Sequence, residues 1–185
     1  IPSIKGMKPY GQFPFQFSAH IQNADESIDH HECLSEDKDP RRMIAEELIR
    51  VIPKNGSVLA YHADFEKNQL RLLADQFSDL SNPLSSIIDR MIDLEAPFVS
   101  GHYVDFQFSG STSIKKVLPV LCPTLSYSDL EVSNGSLAQV EYLRLLNSKD
   151  PIEKSKIRSA LLAYCKRDTE AMVAVLAALR EACEP

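Results

Sequence analysis

Tyr164 and Asp168 stand four residues apart in LLAYCKRDTEAMV, so on a helix they share a face and meet across one turn. They interrupt an apolar stripe made by Leu161, Leu162, Cys165, Met172, Val173, Val175, Leu176 and Leu179. A phenol and a carboxylate on that side of a helix are costly to desolvate without partners. A Tyr–Asp hydrogen bond at the core edge would supply one, and so would a cation held with other acids. Asp-x-Glu triplets stand at Asp64/Glu66, Asp93/Glu95 and Asp129/Glu131. The first lies where a strand hands over to a helix, in AYHADFEKNQL, and Asp93 ends a short strand, MID. Ligand sites in open α/β sheets gather at the carboxyl ends of strands. If the final helix folds back over that edge, Asp168 joins them. Convergent carboxylates do not all stay ionised without a cation, and their oxygens suit magnesium or manganese. The chemistry expected of such a group is metal-assisted hydrolysis of a phosphodiester.

Periodicity places the elements around these residues. Residues 1–11 read as irregular, punctuated by Pro2, Gly6, Pro9 and Gly11. Residues 13–22 alternate Phe13, Phe15, Phe17, Ala19 and Ile21 with other residues, which predicts a strand; after a turn at 23–26, SIDHHECLS predicts its antiparallel partner. His30, His31 and Cys33 raise a metal site, but alternation sends His30 and His31 to opposite faces and favours a plain surface strand. Pro40 opens a helix striped by Met43, Ile44, Leu48 and Val51 or Ile52, stopped by Pro53 and Gly56. SVLAYHA predicts a buried parallel strand, and DFEKNQLRLLADQF a helix with Phe65, Leu70, Leu73 and Phe77 inward. After Ser81-Asn82-Pro83, a helix over LSSIIDRM leads into a strand at MIDL. Two strand-to-helix crossings beside a hairpin predict an α/β fold, a mixed sheet flanked by helices. Residues 101–113 form a loop bearing Tyr103, Phe106 and Phe108, before a helix from about Thr112. That helix start, with Ser111, Thr112, Ser113 and Lys115, suits a phosphate oxygen as well as it suits an ordinary cap. Residues 127–134 read as loop, and 136–146 and 151–183 as helices.

With 185 residues, 44% of them hydrophobic, the chain has the material for one core, and a single domain over 1–185 is expected. Its apolar runs are too short for a membrane span, so no membrane partner is expected. Cys33, Cys122, Cys165 and Cys183 are scattered, which favours free thiols and a cytoplasmic location. A net charge of −6 argues against non-specific nucleic-acid binding through a basic surface. It leaves room for a nuclease, because clustered carboxylates are offset by divalent cations.

HADFEKNQL resembles the second motif of the proofreading-type DEDD exonucleases, in which a strand ends in H-N-A-x-F-D and a helix follows. His62 then takes the asparagine place and Glu66 that of the metal-binding aspartate. YCKRD is similar to the third motif of the tyrosine-bearing branch, Y-x-x-x-D. PYGQFPFQFSAHI, GSTSIKKVLPVL, LSYSDLEV and LLAYCKRDTEAMV also resemble a bacterial domain-of-unknown-function family, number 2779, identified as a divergent member of that superfamily. The resemblance implies a ribonuclease H-like fold and 3'-5' hydrolysis at an end of single-stranded DNA or RNA, with Mg2+ or Mn2+ as cofactor. It implies Glu66 and Asp168 as catalytic metal ligands and Tyr164 as the residue that orients the attacking water. Asp93 is expected to support the ligands from behind, and His62, Ser113 and Lys115 to touch substrate. Phe106 or Tyr103 is a candidate to stack a terminal base.

The chain departs from that family at its first motif. In the resembled family a D-F-E segment comes shortly before the I-P with which this chain begins. Asp64/Glu66 does not serve instead, because a helix follows it at once, and Asp93/Glu95 has no strand pair after it. The expectation is a fragment of a longer protein, lacking its first, mid-sheet strand and joined to other domains. Alone it should bind divalent metal weakly and show little nuclease activity. Strand edges around Phe15 and Leu59 would then be open to homodimerisation. Two further readings are a catalytically silent nucleic-acid-binding or scaffolding module, and a metal-dependent phosphoesterase acting on a small nucleotide.

Overall fold

The computed structural model of the chain describes residues 12–184, so the irregular segment expected at 1–11 lies outside the described residues. Strands β1 (Gln16–Gln22) and β2 (Ile28–Leu34) pair antiparallel, with Gln16 opposite Leu34 and Gln22 opposite Ile28. The turn between them is tied by Asp25, whose carboxylate accepts from the Ser27 N–H and hydroxyl. β1 begins later than the alternation implied. Phe15, ahead of it, stacks on Tyr142 at 4.0 Å between ring centroids.

Helix α1 (Arg41–Val51) is followed by strand β3 (Val58–Ala60), helix α2 (Asp64–Gln76), helix α3 (Ser81–Asp89) and strand β4 (Met91–Asp93). Then come the short helix α4 (Ala96–Val99), α5 (Ile114–Leu121), α6 (Gly135–Asn147) and the 32-residue α7 (Pro151–Ala182). The expected parallel strand is present as β3, which pairs with β4, Val58 opposite Met91 and Ala60 opposite Asp93, but only its Ala60 is buried and Ile92 of β4 is 51% exposed.

The single mixed sheet is not. Among the described residues the strands form two separate two-stranded sheets, β1-β2 and β3-β4, joined by no ladder. The chain is therefore mixed α/β, with helices carrying most of the packing. Three smaller expectations are corrected as well. Ser81-Asn82-Pro83 forms the first turn of α3, where a proline's missing N–H costs nothing, and does not break the chain. The helix expected from about Thr112 starts at Ile114 and runs through Pro119. Phe65, expected inward, is 50% exposed. The buried stripe of α2 is Leu70, Leu73 and Ala74, and counting back one turn from Leu70 lands on Glu66. A carboxylate thus takes the inward position, and Phe65 points about 100° away from it.

Three apolar clusters hold the fold. Leu34, Val132, Tyr142, Leu145, Ile157 and Leu161 join β2, α6 and the first half of α7. Ala45, Leu70, Leu73, Leu84 and Ile87 join α1, α2 and α3. Phe98, Phe108, Val117, Leu118, Ala171 and Val175 join α4, α5 and the second half of α7. No helix among the described residues is long and apolar enough to cross a membrane.

Candidate active site

The β3–α2 turn starts the site. Ala63, which precedes α2, offers no side-chain cap to that helix's free N–H groups. Asp93, at the end of the neighbouring strand, instead holds the turn just ahead of the helix. Its Oδ1 accepts from the His62 N–H at 2.9 Å and the Glu95 N–H at 2.8 Å, and its Oδ2 from the Ala63 N–H at 3.0 Å. Parallel pairing of Ala60 with Asp93 is what brings this carboxylate under the turn. His62 itself adopts a left-handed backbone, φ 61°, which a histidine adopts only at some cost.

That turn lifts the His62 ring to 73% exposure, with Nδ1 2.8 Å from Oε2 of Glu95. Glu95 is 14% exposed, and its other oxygen accepts from the Thr112 hydroxyl at 2.6 Å. The Tyr61 hydroxyl donates to the Thr112 carbonyl, closing the ring of contacts. Hydrogen bonding and charge from Glu95 raise the His62 pKa, with Asp93 and Glu66 adding to the effect.

Across from this turn stands α7. A cleft of about 400 Å³ opens between them, lined by Tyr61, His62, Glu66, Glu95, Ser113, Ile114, Lys115, Tyr164, Asp168 and Met172. Glu66, Asp168, Tyr164, His62, Ser113 and Lys115, singled out from sequence, thus share one cavity, while Asp93 stands behind it. Burial pushes the Glu66 carboxyl above its usual range, and the charges of Asp93 and Asp168 add to the shift against its backbone hydrogen bond and His62. Glu66 Oε2 is buried and meets no hydrogen-bond partner. Burial also raises Asp168, opposed by the hydroxyls of Tyr127 and Tyr164 and by the charge of Lys115. Tyr127 acts on Asp168 electrostatically: its buried hydroxyl meets no partner in hydrogen-bond geometry. Burial and the Asp168 charge hold the Tyr164 phenol well above its ordinary pKa, so it stays protonated and can orient a water but not serve as a base.

The remaining polar groups are partly committed. Lys115 donates from Nζ to the Ser133 carbonyl at 2.6 Å and sits 5.4 Å from the centre of the Tyr127 ring. The Thr112 hydroxyl is taken by Glu95, whereas Ser113, just before α5, makes no side-chain cap bond. Phe106 is 88% exposed, but Tyr103 packs into the third cluster, which leaves Phe106 as the available stacking ring. Asp129, from the third acidic triplet, pairs with Arg167 at 3.1 Å outside the cleft. On the hairpin, His30 bonds Ser18 at 3.0 Å, and its ring lies tilted against that of His20, 4.6 Å between centroids.

Glu66 and Asp168 are hard oxygen donors of the right kind for Mg2+ or Mn2+, and the unpartnered Glu66 Oε2 is a free ligand atom. They are few in number: among the described residues no group of three or more His, Cys, Asp or Glu side chains is arranged to hold a metal ion. The sequence names Glu95 only within an acidic triplet and Thr112 only at a helix start, and it points to no site role for Tyr127. For Glu95 the available signal was its place two residues after Asp93, directly past a strand end.

A family model described as "Domain of unknown function (DUF2779)" matches residues 1–113. The chain belongs to the DUF2779 family. No curated protein and no solved structure matches it. The segment matched to DUF2779 contains His62, Glu66, Asp93, Glu95 and Ser113, and ends before Lys115, Tyr127, Tyr164 and Asp168.

Proposed function

We propose that this domain is a ribonuclease H-like, metal-dependent nuclease that hydrolyses phosphodiesters from the 3' end of single-stranded DNA or RNA. The observation that carries the reading is the meeting of Glu66, Tyr164 and Asp168, from two distant helices, in one cleft. Glu66 and Asp168 would hold Mg2+ or Mn2+, which when bound supplies Lewis-acid polarisation of the phosphate and a more acidic water. Tyr164, protonated, donates to or accepts from that water and holds it in line. Lys115 and Ser113, at the rim, contact backbone phosphates, and Phe106 offers a face to a terminal base. Asp93 keeps the β3–α2 turn in place, so Glu66 enters the cleft at a set angle. The edges of β1 and β3 that carry no ladder among the described residues fit pairing with a second copy or with another part of the protein.

The test is a 3'-end assay on 5'-labelled single-stranded DNA and RNA with Mg2+ or Mn2+, using the intact protein that carries this sequence. Stepwise shortening that Asp168→Ala abolishes, with folding retained by circular dichroism, is the expected result. One observation favours a second reading, a silent nucleic-acid-binding module: the cleft lacks a third convergent metal ligand among the described residues. Oligonucleotide binding without shortening under either metal would establish that reading and sink the first. Cleavage of dinucleotides in preference to longer strands would point to a small-nucleotide phosphoesterase.

A further inference from the structure

Glu66, Asp168 and Tyr164 account for the side of the reaction where water attacks, and nothing in that set protonates the oxygen that leaves. We propose that His62 is the catalytic acid of this cleft, with Glu95 and Thr112 as its positioning residues. This rests on the hydrolytic reading above. Three independent features of the geometry converge on it. Glu95 accepts at 2.8 Å from Nδ1, which leaves Nε2, unbonded among the described residues, as the atom presented to substrate. Glu95 is itself held, through Thr112 at 2.6 Å, so the ring has one orientation. And the left-handed backbone at His62, held by the Asp93 carboxylate on its N–H at 2.9 Å, carries a ring that lines the cleft. A residue held in a costly backbone conformation by a dedicated carboxylate, beside a second dedicated carboxylate, is built for a task beyond packing.

In the step, water adds to phosphorus and the bond from phosphorus to the leaving 3'-oxygen breaks. The electron pair of that bond goes to the oxygen, which takes the proton from Nε2 of the His62 imidazolium. The proton shed by the water passes to solvent, and the exposed His62 ring regains its own from solvent. Glu95, Asp93 and Glu66 favour the imidazolium, and Asp168 and Lys115 line the same cleft.

The experiment compares two substrates with the intact protein and Mg2+ or Mn2+. One is a dinucleotide, whose leaving alkoxide needs a proton. The other is the p-nitrophenyl ester of thymidine 5'-monophosphate, whose leaving group does not. His62→Asn, which keeps a residue tolerant of the left-handed backbone, should slow dinucleotide cleavage by about 100-fold, a loss at least ~30 times greater than on the nitrophenyl ester. Glu95→Gln should move the alkaline limb of the dinucleotide pH–rate profile to lower pH, because the imidazolium loses its anionic partner. An NMR titration of the same proteins should show His62 as the Nδ1–H tautomer, with a pKa above that of free histidine that drops in Glu95→Gln. Equal losses on the two esters overturn the acid role, and a His62 titration that Glu95→Gln leaves unmoved overturns the pair. If the wild type cleaves neither ester while His62 titrates as expected, the hydrolytic reading fails and takes the catalytic role with it, but not the pairing.

Discussion

The two walls of the cleft are built on opposite terms. On the β3–β4 wall the carboxylates are fully occupied: Asp93 caps three backbone N–H groups, and Glu95 is shared between His62 and Thr112. On α2 and α7, and beside the cleft at Tyr127, polar atoms are instead buried without matching partners. Glu66 Oε2 and the Tyr127 hydroxyl are unsatisfied, and Asp168 is held above its usual pKa by burial. Satisfied groups fix shape, and unsatisfied ones in low dielectric are where a ligand gains most by binding. The contrast separates scaffold from reactive surface among residues of the same chemical type. It also cuts across the family match, which holds the scaffold wall and Glu66 but not Tyr127, Tyr164 or Asp168.

The sharpest way to break this contrast is to remove the scaffold. Asp93→Ala leaves three N–H groups without their charged acceptor and should lower stability by about 3 kcal/mol, measured by urea unfolding. A loss under about 0.5 kcal/mol, the size of an ordinary surface substitution, would show the turn to be self-supporting.

Removing charge from the unsatisfied acids of α2 and α7 should act in the opposite direction. The double variant Glu66→Gln, Asp168→Asn should be more stable than wild type at pH 7 by about 1 kcal/mol, since two buried charges no longer need hydration. The pH dependence follows from the raised carboxyls. Their folded pKa values exceed the unfolded ones, so the stability they contribute is complete below the ordinary carboxylate range, near pH 4, and is lost as pH rises through the raised folded values. Glu36 and Asp39 run the other way. Lys154 and Arg158 lower the first, and Arg41 the second, so their contribution is present above pH 4 and lost as pH falls through the depressed values. Unfolding free energies between pH 4 and 7 should therefore rise on acidification more steeply in wild type than in the double variant, where the raised His62 still contributes. Saturating Mn2+ at pH 7 should stabilise wild type and leave the variant unchanged.

The smallest effect tests the rim. Lys115→Met removes a charge that favours the Asp168 carboxylate, so the Asp168 pKa should move further up in a carboxyl-carbon NMR titration. Global stability should change by less than about 0.5 kcal/mol, because Lys115 is exposed.

Much of this arrangement could be read from residue spacing, and what could not has identifiable causes. The hairpin, α1, the parallel β3–β4 pair and the Tyr164–Asp168 face follow from periods of two and of 3.6, which backbone geometry enforces locally. The meeting of Glu66 and Asp168 was legible because strand ends and a returning helix leave few other places for such acids. Two separate sheets were not, since three-residue strands carry almost no register information and pairing is decided by distant contacts. Phe65 misled because hydrophobicity outweighed phase, where Leu70 and Leu73 set the inward direction and put Glu66 on it. The left-handed His62 was hidden for another reason: histidine's enrichment in that conformation is too slight to mark one position, and the carboxylate on its N–H comes from a strand 31 residues away.

Helix α7 is anchored twice, by Ile157 and Leu161 in one cluster and by Ala171 and Val175 in another, with Asp168 in the span of about 15 Å between them. A helix pinned at two points does not fray through its middle. Its central amides become exposed to solvent hydrogen only when one whole cluster lets go, so Asp168 sits in the part of the helix that opens last.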